Sequence, residues 1–409
     1  MSVLYLSYDG MTDPLGQSQV IPYILGLATR GHAFHIISFE KRDRFLRTGG
    51  SVKGLLEGHG IGWTPLTYHK RPPILSTLWD IGVLVRTVDR LMATMAFQAI
   101  HCRSYITALV GLRVKKRTGV KFIFDMRGFW ADERVEGGLW NLRKPLFRGI
   151  YAYFKRKERE FLKGSDSVVV LTQRSKNEVE SWGTNSASLS VIPCCVDTSH
   201  FSPTRVEGYE RESVRKQLGI HPDQFVIAYL GSFGTWYMAD EMFQFFSLLR
   251  QRYPKARLLL ITPETFERFC TLAERSGVTR DALCVRSVAR GEVPVYLSVA
   301  RMGLFFIKPC YSKMASCPTK MGEMLSMGLP IISNAAVGDL DWFFSTYQVG
   351  HLLHGFSEQD YRSAVDRIPE LLGMSRESIR SAAEAYFSLD RGIEKYAEVY
   401  NGLAGGVEF

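Results

Sequence analysis

The sequence contains no Cys-x-x-Cys pair, and its seven cysteines are scattered along 409 residues. A structural zinc site and a disulfide framework are therefore both unexpected. The adjacent Cys194 and Cys195 read as two reduced thiols in a linker. No apolar run approaches the roughly 18 residues of a membrane span. The opening residues Met-Ser-Val-Leu-Tyr-Leu-Ser lack a basic segment, and their apolar run is too short for a signal peptide. The expected location is cytoplasmic. No G-x-G-x-x-G follows the first strand, which excludes the dinucleotide fingerprint there. Low-complexity tracts are also missing. With 46% hydrophobic and 22% charged residues, the composition is that of a globular protein of two or three domains.

Acidic residues are under-represented in the first half. Residues 1–200 carry 28 Lys/Arg and 17 Asp/Glu, whereas residues 201–409 carry 23 and 24. The whole basic excess sits in the first half. That favours an anionic partner: a phosphorylated ligand, an anionic membrane surface or nucleic acid. No recognisable nucleic-acid module accompanies the charge, so nucleic acid is not the expected partner. The segment Pro145–Lys163 reads as a helix, with Phe147, Ile150, Tyr151 and Phe154 on one face and Arg148, Lys155, Arg156, Lys157, Arg159 and Lys163 elsewhere. Such a helix can lie against anionic lipid, or it can be an ordinary domain helix with a solvated basic face.

Short apolar runs alternate with helical patterns along the chain, the signature of an α/β fold with parallel sheets. Val3–Ser7 predicts a strand, Gly10–Gly16 a loop and Gln17–Arg30 a helix. Further strands are expected at 34–39, 99–102, 121–125 and 167–171, and helices at 51–58, 78–95 and 108–116. His101, Arg103, Asp125 and Arg127 fall at strand carboxyl ends, where open α/β sheets bind ligands. A core histidine is the alternative for His101, and a structural ion pair for Asp125 with Arg127. After a polar boundary near Val196–Pro203 the alternation resumes. Phe225–Leu230 reads as a strand ending in Gly231, Ser232, Gly234 and Thr235, a loop suited to close backbone approach to phosphate. Gly303–Lys308 is a later strand, and 358–372, 376–387 and 390–403 are terminal helices.

The segment Ser316–Asn334 carries the sharpest signal. Ser316 and Thr319 are candidate helix caps, and Pro318 suits a first turn. Met321, Met324 and Leu325 define a buried face. Gly328 and Pro330 end the helix. Lys320 and Glu323 stand one turn apart at its start, where a phosphate and a ribose could be held. The D-x-D at Asp339–Asp341 could hold a divalent metal, but helix capping explains it better, and no metal is expected.

These features resemble the GT-B glycosyltransferases, and the stretch from Pro318 through Gly322, Glu323, Gly328 and Pro330 resembles the retaining family-four group. Ile192-Pro193, Val196-Asp197 and Phe201-Ser202-Pro203 are similar to that family's interdomain signature. The resemblance implies two doubly wound, Rossmann-like domains facing each other across a cleft. Residues 1–195 would bind acceptor and 196–388 the donor, and the helix in 389–409 would cross back to the first domain. It also implies that Glu323 holds the donor ribose, that Gly231 lies near the pyrophosphate, and that Gly16 lies near donor phosphate and acceptor. No cofactor is implied; a nucleotide sugar is co-substrate.

Three departures stand out. The family's first glutamate, eight residues before Glu323, is Ala315. The basic pair expected after Gly231 is missing from Trp236-Tyr237-Met238-Ala239-Asp240-Glu241. The acceptor-side histidine is Arg127. Lys320 is the leading candidate to neutralise the diphosphate, with Lys308, Lys313 and Arg290 behind it. The expected reaction is sugar transfer from a nucleotide sugar to an acceptor hydroxyl on a glycan or lipid-pyrophosphate, at the inner face of the cell membrane. The alternatives are a nucleotide-sugar 2-epimerase and a silent binding protein of the same fold.

Overall fold

The protein is described by a computed structural model covering residues 1–183 and 188–405. It divides into two compact units. The first comprises Met1–Cys194 with the C-terminal helix from Leu389, and the second comprises Cys195–Ser388.

The first unit is built on seven parallel strands: β1 (Ser2–Ser7), β2 (Ala33–Glu40), β3 (Gly62–Thr67), β4 (Ala99–Arg103), β5 (Lys121–Asp125), β6 (Ser167–Val170) and β7 (Leu189–Val191), in the order β3-β2-β1-β4-β5-β6-β7. β4 and the last four residues of β5 are buried, as expected for parallel strands covered on both faces. The order reverses between β1 and β4, which opens a crevice at their carboxyl ends. The helix Leu389–Ala404 packs on Ile21–Ala28. Gly26 permits that contact, because a Cβ there would meet Ile393 Cδ1 at 2.2 Å.

The second unit has six strands: β8 (Val226–Leu230), β9 (Arg257–Ile261), β10 (Leu283–Arg286), β11 (Met302–Leu304), β12 (Ile331–Asn334) and β13 (Gly350–Leu353), in the order β10-β9-β8-β11-β12-β13. Its reversal lies between β8 and β11, so the loops after those two strands meet. β11 is shorter than the predicted 303–308. Beyond Leu304 the Asn334 side chain takes over the ladder, accepting from Ile307 N–H at 2.8 Å and donating to its carbonyl at 2.9 Å.

Local chemistry accounts for the other differences. The predicted helix 17–30 is two helices, Pro14–Gln19 and Ile21–Ala28, because Pro22 has no N–H to return to the preceding turn. The predicted helix 51–58 runs over Arg42–Glu57. Within it Gly49 makes room for the Phe45 ring, which an added Cβ would meet at 2.8 Å. Helices at Trp130–Glu136, Gln173–Ser181 and Gly208–Gln217 were not expected. The last lies in what reads as a polar linker, and Val214 is its only buried residue. Among the described residues, no helix is long and apolar enough to cross a membrane.

Candidate active site

The loop after β8 begins with Gly231 at φ +97°, and Gly234 follows at φ +50°. Both are left-handed positions that glycine adopts cheaply. Tyr229 holds the loop by donating to the Ser232 carbonyl at 2.9 Å, and Phe233 N–H donates to Glu264 at 3.1 Å. With Phe233 buried, Ser232, Gly234 and Thr235 face outward.

Lys320 lies against this loop. A Cβ on Gly231 would stand 3.5 Å from Lys320 Nζ. The amine is packed over the rings of Tyr229 and Tyr237, at 3.8 and 3.4 Å from their centroids. It is buried and has no hydrogen-bond partner among the described residues. Burial pulls it well below the usual lysine range, against the pull of Glu323 and Glu264 toward the charged form. Burying an amine without a partner is costly. The helix Thr319–Ser326 that carries it is buried from Lys320 to Ser326, not on one face alone as its periodicity implies. The expected caps are corrected too: Pro318 is the N-cap, and no side chain of Ser316 or Thr319 caps the helix. Its first N–H groups are thus left to other partners.

One turn on, the buried Glu323 accepts from Arg290 Nη1 at 2.9 Å. The Arg290 guanidinium also lies over Phe201, 5.3 Å from the ring centroid. Lys313 is buried with its amine 3.8 Å from the centre of the Trp236 ring, so a second amine adjoins the glycine loop. Lys308 is exposed, and its N–H donates to the Trp236 carbonyl at 2.9 Å. Ala315 is buried at the end of a short 3-10 turn. The two carboxylates of the D-x-D have local uses. Asp339 accepts from Tyr386 at 3.1 Å and Asp341 from Ala336 N–H at 2.9 Å.

The first unit holds a second constellation. Asp125 is fully buried at the end of β5. Its Oδ2 accepts from Tyr396 at 3.1 Å and lies 3.4 Å from His101 Nε2 and 3.9 Å from Arg103 Nη1. Its Oδ1 faces Arg127 Nη1 at 3.7 Å. Burial alone would raise this carboxyl, but Arg127, with His101 and Arg103, holds it down at about 2. His101 Nδ1 pairs with Tyr400 at 2.7 Å, and burial lowers its pKa. His101 and Asp125 therefore point into the unit, as the core-histidine and ion-pair alternatives describe. Arg127 occupies a left-handed position at φ +56°, unusual for a side chain of its size. It also donates to Cys194 Sγ at 3.3 Å. Arg103 is 3.4 Å from the partly exposed Asp9.

Gly16 is explained by packing within its own loop, since a Cβ there would stand 2.2 Å from the Gly10 carbonyl oxygen. The same loop is fastened by Glu40, which the sequence reading overlooked. Its carboxylate accepts from Met11 N–H at 2.7 Å, Thr12 N–H at 3.0 Å and the Ser38 hydroxyl at 2.6 Å. A charged residue ending an apolar strand was the available signal. Tyr396 and Tyr400 were missed because only folding brings them to β4 and β5.

The structure therefore gathers Gly231, Ser232, Gly234, Thr235, Arg290, Lys313, Pro318, Thr319, Lys320 and Glu323 around the loops after β8 and β11. It gathers His101, Arg103, Asp125 and Arg127 separately in the first unit.

Comparison with known proteins supplies the class. Residues 20–200 match the family described as Glycosyltransferase Family 4. A D-inositol 3-phosphate glycosyltransferase from Corynebacterium aurimucosum is 23% identical over 305 residues, 70% of this chain and 68% of that protein. A sucrose-phosphate synthase from Thermosynechococcus elongatus has a TM-score of 0.75 at 16% identity, with 100% of both chains covered. Anabaena Alr3699/HepE in complex with UDP-glucose has a TM-score of 0.68 at 14% identity, covering 98% of this chain and 100% of that one. The chain is a glycosyltransferase of GT-B fold. Its similarity to family four rests on residues 20–200, less than half of the chain.

Proposed function

We propose that the enzyme transfers a sugar from a nucleotide-sugar donor to an acceptor hydroxyl, with retention of anomeric configuration. The carrying observation is the unpaired Lys320 amine held against Gly231. An amine desolvated without a counterion is poised for an anion. The diphosphate that leaves a nucleotide sugar supplies one, and its charge grows as the glycosidic bond breaks. The loop N–H groups from Ser232 to Thr235 and the start of the Thr319–Ser326 helix would share that charge, and Lys313 would add to it. These groups stand in for the missing basic pair. Glu323, aligned by Arg290, would accept from the ribose hydroxyls. That UDP-glucose is held by the HepE structure supports a donor of this class.

In the retaining scheme that the resemblance implies, the departing phosphate oxygen accepts the acceptor's proton, so no enzymic base is needed. Asp125 suits this division of labour. A carboxylate held near 2 and closed in by three basic side chains is a poor base. It fixes the strained Arg127, which would then orient the acceptor.

The acceptor we propose is lipid-linked, reached at an anionic membrane surface. The first unit exposes Leu46, Leu75, Leu78, Trp79 and Leu146, on helices that also expose Arg42, Arg47, Arg86, Arg90 and Arg148. Apolar side chains among surface arginines suit the headgroup region of a bilayer. A thermal-shift panel of nucleotide sugars tests the donor. One sugar nucleotide should raise the melting temperature of the wild type and not of Glu323→Ala. No shift with any of them would contradict the reading.

A further inference from the structure

A second basic site lies at the opposite end of the second unit's sheet. Arg301 immediately precedes β11, and its N–H donates to the Val226 carbonyl at the start of β8, at 2.9 Å. Gly231 and Lys320 are at the other end of that strand. Five residues of strand separate the two ends, roughly 17 Å. At the amino end is a cavity of about 510 Å³, within the range of small-molecule pockets. Arg211, Arg215, Arg301 and Arg376 line it, with Leu371 and Met374 among its apolar wall.

Among the described residues, no acidic residue lines the cavity. Among the described residues none of the four arginines is within 4.0 Å of a carboxylate oxygen in a salt bridge. Arg376 Nη2 donates to the Ala300 carbonyl at 3.1 Å, and Arg215 donates to the His221 carbonyl. Those contacts orient two guanidinium groups and neutralise neither. The charges crowd one another: burial lowers the Arg376 pKa, and Arg301 and Arg211 lower it further. Elsewhere the surface arginines Arg252, Arg280, Arg362 and Arg367 each have a carboxylate partner. Four like charges converging on a concavity without counterions repel one another, and a bound anion would relieve that repulsion.

We propose that this cavity binds a small organic phosphate at a site separate from the donor site. Guanidinium forks match phosphate oxygens two at a time. The cavity is larger than a bare phosphate ion needs, and the Leu371–Met374 wall offers apolar contact to the organic part.

Titration calorimetry at low salt tests this with glucose 6-phosphate and inorganic phosphate as probes. Lys320→Met, which disables the donor site, should still bind glucose 6-phosphate, and more tightly than inorganic phosphate. Arg301→Gln and Arg211→Gln should each weaken that binding at least tenfold, and Arg301→Lys should weaken it less than Arg301→Gln, keeping the charge but not the fork. Equal affinity in wild type and both glutamine variants would overturn the proposal, as would loss of binding in Lys320→Met. Equal affinity for the two probes would overturn the organic part. Because Lys320→Met removes only donor binding, failure here is distinguishable from failure of the proposed transferase reaction.

Discussion

Lys320 Nζ lies 3.5 Å from the point where a Cβ on Gly231 would stand. The two residues are 89 positions apart in the chain, and the parallel sheet brings them together because the loops after β8 and β11 adjoin. An amine without a hydrogen-bond partner faces a glycine with an open backbone. This pair is costly in the empty enzyme and suited to a diphosphate.

The cost is measurable. Lys320→Met keeps the shape and removes the desolvated amine, so it should stabilise the empty protein by about 1–3 kcal/mol near neutral pH. Burial depresses the folded-state pKa of Lys320, so above that value the unfolded chain binds the extra proton. The wild type should then gain stability as pH rises toward the ordinary lysine value, and Lys320→Met should lack this component. Denaturant titrations between pH 7 and 10 check both. A destabilised variant with unchanged pH dependence would count against the assignment. In turnover, Lys320→Ala should lose about 2–4 kcal/mol of transition-state stabilisation.

Glu323 and Arg290 form a partly buried pair at 2.9 Å. Removing the carboxylate should weaken donor binding by about 1.5–3 kcal/mol, as expected for hydrogen bonds to a charged group. Arg290→Ala should weaken it less, because it misaligns Glu323 without removing it. In the double variant the two losses should not add. Additive losses in donor affinity would indicate independent roles.

Asp125 should matter for folding as well as function. Asp125→Asn leaves Arg103 and Arg127 without their shared buried carboxylate, a loss of about 3–5 kcal/mol. In the wild type the folded pKa is depressed to about 2, so this carboxylate's stabilisation is complete above the ordinary aspartate value. It is lost as pH falls through the window from about 4 to 2. Acid unfolding followed by tryptophan fluorescence should show that component in the wild type and not in Asp125→Asn.

Much of this was legible in the sequence, for physical reasons. Parallel strands buried on both faces read as apolar runs, so β1, β2, β4, β5, β6, β8 and β11 fall on segments predicted as strands, within a few residues at each end; β13 was not anticipated. Lys320 and Glu323 stood out because they flank one helix turn. What was not legible came from distant partners. The ring packing of Lys320 requires Tyr229 and Tyr237, and the inward turn of His101 requires Tyr400, 299 residues away. The capping expected of Ser316 and Thr319 failed because Pro318, read as a first-turn residue, is itself the N-cap.

Membrane association should be electrostatic with an apolar component. Co-sedimentation with anionic liposomes should fall as salt rises. Leu146→Asp and Trp79→Ser should each reduce it without affecting nucleotide-sugar binding. Equal recovery on neutral liposomes would contradict the electrostatic part.

The central claim is that Lys320 meets the donor's diphosphate. Calorimetric titration with UDP and GDP, each in two buffers of different ionisation enthalpy and at several pH values from 8 up to the ordinary lysine range, tests it most directly. At least one nucleotide should bind the wild type with net proton uptake, as the depressed amine regains its charge beside phosphate. Lys320→Met should bind that nucleotide at least tenfold more weakly and without the proton. Equal affinity and equal proton uptake in the two proteins would contradict the account.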